Sequence, residues 1–220
     1  MARVIQFLIA IILFVLSFPL LIIVALLSFI ETGMNPFYLQ KRSLSLYSKK
    51  FTVIKIRTLK EHPPQIPSNN IFIKPNLDRY LIRLGKLIRR MGLDELPQLL
   101  NVIKGDMSLI GPRPLSIHDL NILKDNYPEI HQRRSQLKSK PGVTGYWQIF
   151  GNREEGADNL IEMDEYYEKN KSFSFDFFLM FVTIPVILFA KHTDAISFPN
   201  KIAKTEISDE VNDINSVVES

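Results

Sequence analysis

From Val4 to Ile30 the chain runs for 27 residues without a charge. About 20 helical residues cover the hydrocarbon core of a bilayer, so this run is long enough to enter one. Pro19 interrupts it after Ser17 and Phe18, and an interior proline removes a backbone bond and kinks a helix. The arms Val4–Phe18 and Leu20–Ile30 would measure about 22 and 16 Å at 1.5 Å per residue. Each falls short of a core of about 30 Å. A bent re-entrant hairpin and a kinked spanning helix both keep their backbone bonds internal, and the residues alone leave both open. A signal peptide fits poorly, because the run is long and no small-x-small site appears before Glu31.

Further along, the apolar pattern is broken into short pieces. Phe51-Thr52-Val53-Ile54-Lys55-Ile56-Arg57-Thr58-Leu59 alternates enough to predict a short strand. Residues 61–77 are rich in proline and asparagine and read as a loop. Arg83 to Arg90 forms a basic helical stretch. Asn121–Ser139 is polar and helical, divided at Pro128. The last apolar run, Phe177–Ala190, holds 14 residues with Pro185 inside. It is too short to span, so a core helix or one lying at an interface is expected. Residues 201–220 read as a disordered acidic tail.

At 220 residues the chain is one domain with attachments. It has no cysteine, which excludes disulfides and thiolate zinc sites. The four histidines are scattered without ligand spacing. The net charge of +4 understates the basic body, because the tail sets two lysines against five acids. Such a body suits anionic headgroups and nucleotide phosphates. No nucleic-acid module accompanies it. Lys41, Arg42, Lys49, Lys50, Lys55, Arg57 and Lys60 crowd the segment after the anchor. The positive-inside rule keeps that segment cytoplasmic whichever way the anchor lies.

The candidate chemistry sits between Gly92 and Pro114. Pro97 suits only the first turn of a helix, so a helix is expected to start near Asp94. Leu96, Leu99, Leu100 and Ile103 give it one apolar face, and Gly105 ends it. Asp94 and Glu95 then stand at the positive end, beside free N–H groups that suit a phosphate. Asp106 and the turn Gly111-Pro112-Arg113-Pro114 follow. Taken alone, Asp94 and Glu95 also fit an ordinary N-cap and first-turn acid.

This block closely resembles the signature of the monotopic bacterial sugar transferases, which load a sugar phosphate onto a polyprenyl phosphate. The resemblance extends outward from it. Gln40-Lys41-Arg42 and Lys55-Ile56-Arg57-Thr58 resemble the family's Gln-x-Arg and Lys-Phe-Arg-Thr motifs. Pro141-Gly142-Val143-Thr144-Gly145-Tyr146-Trp147-Gln148 resembles its Pro-Gly-x-Thr-Gly-x-x-Gln loop, whose Gly-Arg falls at Gly151-Asn152 with Arg153 next. Glycines there permit tight turns and close backbone approach to a ligand. Trp147 suits a packing anchor as well as a nucleotide contact. Asp164, Tyr167 and Asp176 match the closing pattern of Asp, Tyr and Asp. Four departures stand out: Ala2 for a lysine, Gln6 for an aspartate, Phe18 between Ser17 and Pro19, and Gly92 for a serine.

The resemblance implies an α/β fold that is mostly α. A re-entrant membrane helix (1–33) would carry a small cytoplasmic catalytic domain (34–200) with short strands and interface-lying helices. It implies transfer of a sugar 1-phosphate from a UDP-sugar to polyprenyl phosphate, with release of UMP, at the cytoplasmic face of a bacterial inner membrane. Asp94 would be the nucleophile and would hold Mg²⁺ together with Glu95. Arg57, Arg89, Arg113, Pro114, Thr144, Gln148 and Arg153 would bind substrate. Polyprenyl phosphate, the UDP-sugar and membrane lipids would be the partners, with downstream glycosyltransferases beyond them and no nucleic acid. Two other functions stay open: a catalytically silent membrane adapter, and a metal-dependent phosphohydrolase using the same acids.

Overall fold

The N-terminal apolar stretch forms α1 (Arg3–Thr32), a single helix that runs through Pro19. The computed structural model describes residues 3–60, 77–152 and 155–188. The two arms expected from Pro19 are thus joined without a non-helical break. Pro19 deletes one backbone bond, and next to that gap Ser17 Oγ donates to Phe14 O at 3.2 Å. Such side-chain bonds accompany bent helices. By length and composition α1 can cross a membrane.

α1 docks on the rest of the chain along its whole length. Gln6 Oε1 accepts from Leu109 N at 3.3 Å, and Ala10, Leu21 and Val24 are buried. Ser28 Oγ donates to Arg57 O at 2.6 Å. Glu31 accepts from Arg83 N at 2.9 Å. The opposite face, with Val4, Leu8, Ile12, Leu16, Ile23 and Ile30, is exposed.

β1 (Phe37–Ser43) and β2 (Phe51–Ile56) form an antiparallel hairpin. Tyr38 stands opposite Lys55, and Arg42 opposite Phe51. β4 (Leu115–Ser116) adds to the other side of β1, which leaves β2 at the sheet edge. Part of that edge is closed by Asn101, a buried residue of α3 (Leu99–Lys104). Its side chain accepts from Ile54 N and donates to Thr52 O. β2 is accordingly a strand, as its alternation predicted, ending at Ile56 and not Leu59.

β3 (Ser108–Ile110) and β5 (Gly142–Thr144) make a second, parallel pair. Here the two glycine motifs meet. A Cβ on Gly142 would come within 2.2 Å of Gly111 N, and one on Gly145 within 2.1 Å of Gly111 O. The close approach expected toward a ligand is therefore between two stretches of this backbone.

The remaining elements are helical: α2 (Gly85–Arg90), α4 (Ile117–Asn126), α5 (Pro128–Ser135), α6 (Tyr146–Phe150), α7 (Gly156–Asn170) and α8 (Phe173–Leu188). Pro128 opens α5, where its missing N–H is not needed. Ser116 and Asp119 cap α4 reciprocally. Tyr167 of α7 donates to Asp176 of α8 at 2.8 Å and lies 3.3 Å from Ile110 O. That bond fixes the inner face of α8, where Asp176 and Leu179 are buried. Phe173, Phe177, Phe178, Phe181 and Ile184 are exposed on it. α8 is therefore not a core helix. The fold is mostly helical with a few strands. The segment 61–76 and the tail 201–220 lie outside the described residues.

Candidate active site

Gly92 adopts φ +66°, a conformation that glycine reaches without steric cost, and turns the chain into the acid pair. A 3₁₀ helix, Leu93–Gln98, precedes α3. The α-helix expected from Asp94 thus begins as a tighter turn, with Glu95 N donating to Gly92 O at 3.0 Å. Pro97 explains the tightening, since it has no N–H for the carbonyl of Leu93. Gly105, at φ +83°, ends α3 as predicted. Leu93 and Leu96 pack against the core beneath, so Asp94 and Glu95 are carried on a well-anchored turn. Asp94 is half-buried and Glu95 is buried.

Glu95 is ion-paired with Lys55 Nζ, and both side chains are largely shielded from solvent. Phe51, Val53 and Lys55 share the face of β2 that meets α3, so strand alternation delivers the lysine to the acid. Arg89 Nε donates to Thr58 Oγ1 at 2.7 Å, three residues along the chain from Lys55. Arg57 is two residues beyond Lys55, about 7 Å along the strand. Its Cζ stands 5.9 Å from the Tyr38 ring centre.

Arg113 belongs to a second cluster. Its guanidinium lies 5.8 Å from the Trp147 ring centre, and the residue is buried. Two other arginines hold the backbone of its turn, one at Arg113 and one at Pro114. Arg134, fully buried, donates to Leu44 O at 2.6 Å, to Asp164 Oδ2 at 2.7 Å and to Arg113 O. Asp164 also accepts from the backbone of Arg113. Arg42 donates to Pro114 O and to Gln40 Oε1, both at 3.0 Å. Burial pushes the Asp164 carboxyl above its ordinary range and Arg134 below its own. Through these bonds the pair fixes the turn that carries Arg113. Along β1, Tyr38 and Arg42 are four residues apart, so the anchors of the two clusters are separated by about 13 Å.

Not every expected ligand-binding residue lines this face. Pro114 offers its carbonyl to Arg42 and is buried. Thr144 Oγ1 lies 3.2 Å from Thr183 Oγ1 of α8, and its carbonyl accepts from Gly111 N. Gln148 is buried within α6, only 1 % exposed. Trp147 is a packing anchor in the core shared by α4, α5 and α7. Asn152 N donates to Asn159 Oδ1 at 2.8 Å, while Arg153 lies outside the described residues. Sequence reasoning missed Lys55, Arg42 and Arg134 as site-building residues. The motif Gln-x-Arg was the signal for one of them, and strand alternation for another.

Asp94 and Glu95 are the carboxylates able to hold a metal here. Among the described residues, no group of three or more histidines or acids is gathered. Magnesium is commonly bound through one or two carboxylates together with substrate phosphates, so this pair fits it.

The bacterial sugar transferase family matches residues 1–190. The sugar transferase EpsL of Bacillus subtilis is 38 % identical over 159 residues, covering 72 % of this chain and 73 % of the relative. The exopolysaccharide production protein ExoY of Sinorhizobium fredii is 32 % identical over 198 residues, covering 84 % of each. The undecaprenyl-phosphate galactose phosphotransferase of Salmonella typhimurium is 40 % identical over 111 residues, half of this chain and 22 % of that protein. With nearly the whole described fold inside the match, the chain belongs to the bacterial sugar transferase family.

Proposed function

We propose that this chain transfers a sugar 1-phosphate from a UDP-sugar to polyprenyl phosphate and releases UMP. The observation that carries the reading is the Asp94–Glu95 pair. It sits on an anchored 3₁₀ turn, with Lys55 on Glu95 and with α1 packed alongside. The names of three relatives supply the reaction class, from Salmonella typhimurium, Erwinia amylovora and Aeromonas hydrophila.

In this reading an Asp94 carboxylate oxygen attacks the sugar-bearing phosphorus. The bond between that phosphorus and the bridging oxygen breaks, and UMP leaves with the electron pair. The phosphosugar is then joined to Asp94 as an acyl phosphate. A phosphate oxygen of the lipid attacks the same phosphorus and frees the carboxylate. Magnesium on Asp94 and Glu95 would neutralise diphosphate charge. Arg89 and Arg113 pair with phosphate oxygens through their planar forks.

The docking of α1 supports a re-entrant arrangement with both ends at the cytoplasmic side. Gln6 and Glu31, near opposite ends of a helix about 45 Å long, both bond the same domain. A helix crossing the bilayer upright would carry one of those ends to the far side. The exposed aromatic face of α8 suits the same membrane surface.

The test uses purified chain in vesicles with a panel of UDP-sugars. Without lipid, at most one equivalent of UMP is expected, with the phosphosugar on the peptide holding Asp94. Asp94→Asn is expected to abolish UMP release and lipid loading together, and near-normal turnover of that variant refutes the mechanism. Continuous UMP release without lipid points instead to a phosphohydrolase, and none with any sugar to an adapter. For topology, Ala2→Cys should resist an impermeant thiol reagent added outside; labelling there means that α1 spans.

A further inference from the structure

We infer that the groove between the second half of α1 and the start of β1 holds the first isoprenoid units of polyprenyl phosphate, with the phosphate at Arg57. This rests on the transferase reading and adds to it the place where the lipid tail sits. The groove measures about 360 Å³, and its lining, including Leu21, Ala25, Leu26, Phe29, Pro36 and Phe37, is apolar throughout. At roughly 30 Å³ for a water-sized group, it holds about a dozen such groups, or two to three five-carbon units.

One end of this apolar surface is polar. Arg57 N donates to Pro36 O at 2.7 Å, and Ser28 Oγ donates to Arg57 O. The arginine is thereby pinned to both walls, the β1 side and α1. Its Nε donates to Asn35 O at 2.9 Å, which holds the guanidinium at the rim. From there Lys55, with Glu95 on it, is about 7 Å back along the strand. The surface therefore reads, in order, apolar trough, cation, acid pair. Its complement is a single apolar chain ending in an anion that must reach Asp94. Polyprenyl phosphate is such a molecule, with a terminal monoester whose oxygen is free to attack. A phospholipid, with a diester between two acyl chains and a headgroup, presents no such end.

Ile22→Trp and Leu26→Trp, at exposed positions lining the trough, fill it without touching the acid pair or the arginines. In vesicles of phosphatidylglycerol and phosphatidylethanolamine, each is expected to raise the KM for undecaprenyl phosphate at least tenfold. The KM for the UDP-sugar and the lipid-independent UMP yield should stay within twofold. A second arm uses Leu26→Cys, labelled with an environment-sensitive dye, which is selective because the native chain has no cysteine. Undecaprenyl phosphate should shift its emission, and the same mole fraction of extra phosphatidylglycerol should not. An unchanged lipid KM in both tryptophan variants, or an equal dye response to phosphatidylglycerol, overturns the assignment. A labelled Leu26→Cys chain that responds to undecaprenyl phosphate, beside an unlabelled wild type that transfers nothing, leaves the groove standing and overturns the transferase reading.

Discussion

Asp164→Asn tests whether the buried pair positions Arg113. Arg134 has no solvent exposure and three acceptors, of which Asp164 alone is charged. An asparagine keeps the shape and a carbonyl acceptor but strands the guanidinium as an uncompensated buried cation. Removing one member of such a pair costs about 3–5 kcal/mol. For a chain of this size 1 kcal/mol corresponds to about 2–4 °C, so the Tm should fall by roughly 6–20 °C. Against a total stability of about 5–15 kcal/mol, enough fold survives at low temperature for kinetics. There, kcat should drop at least tenfold, because the turn carrying Arg113 is no longer held from both sides. The double variant Arg134→Met with Asp164→Leu removes the stranded charge. It should recover part of the Tm, yet it leaves the Arg113 N–H and carbonyl without these partners, so kcat should stay low. Thermal unfolding by circular dichroism and UMP release on the same preparations give both readouts. A single variant with wild-type Tm and kcat, or a double variant that regains kcat with Tm, refutes the positioning role.

Lys55→Met should destabilise the metal-free protein by about 3 kcal/mol, since Glu95 loses its cation in a shielded site. Added Mg²⁺ should then raise the Tm of this variant more than that of the wild type, and an equal rise counts against a metal at Glu95. His131 is buried, and its pKa is lowered by desolvation and then by Lys124 and Arg134. With the folded value below the unfolded 6.5, its contribution to stability is complete above that pH and is lost as pH falls through the folded value. His131→Gln should flatten the urea midpoint between pH 7 and 5, and an unchanged slope refutes this. Gly145→Ala should lower the Tm severely, because its Cβ meets the carbonyl of Gly111. Gly33→Ala, with open space around it but φ +64°, should cost only about 1 kcal/mol.

Several features were legible in the residues because their causes are local. The apolar run of α1, a helical turn at the acids (3₁₀ and not α), the stop at Gly105, the strand at Phe51 and the division at Pro128 follow from period, proline and glycine. Even so, Pro19 bends a prediction too far when read alone, because a helix can continue past one missing bond. What only tertiary structure decided is which group each charged side chain serves. Lys55 meets Glu95 across 40 residues, Arg42 meets Pro114 across 72, and Arg134 meets Leu44 across 90. Gln148 stands in a loop motif, and only the fold shows that its side chain is buried. Gly111, Gly142 and Gly145 look ready for a ligand and instead pack on one another. Periodicity tells which face of an element is apolar, but it carries no information about which distant element will cover that face. That choice is made when the elements pack, because each buried charge and backbone group must then find its partner among whatever the topology brings near.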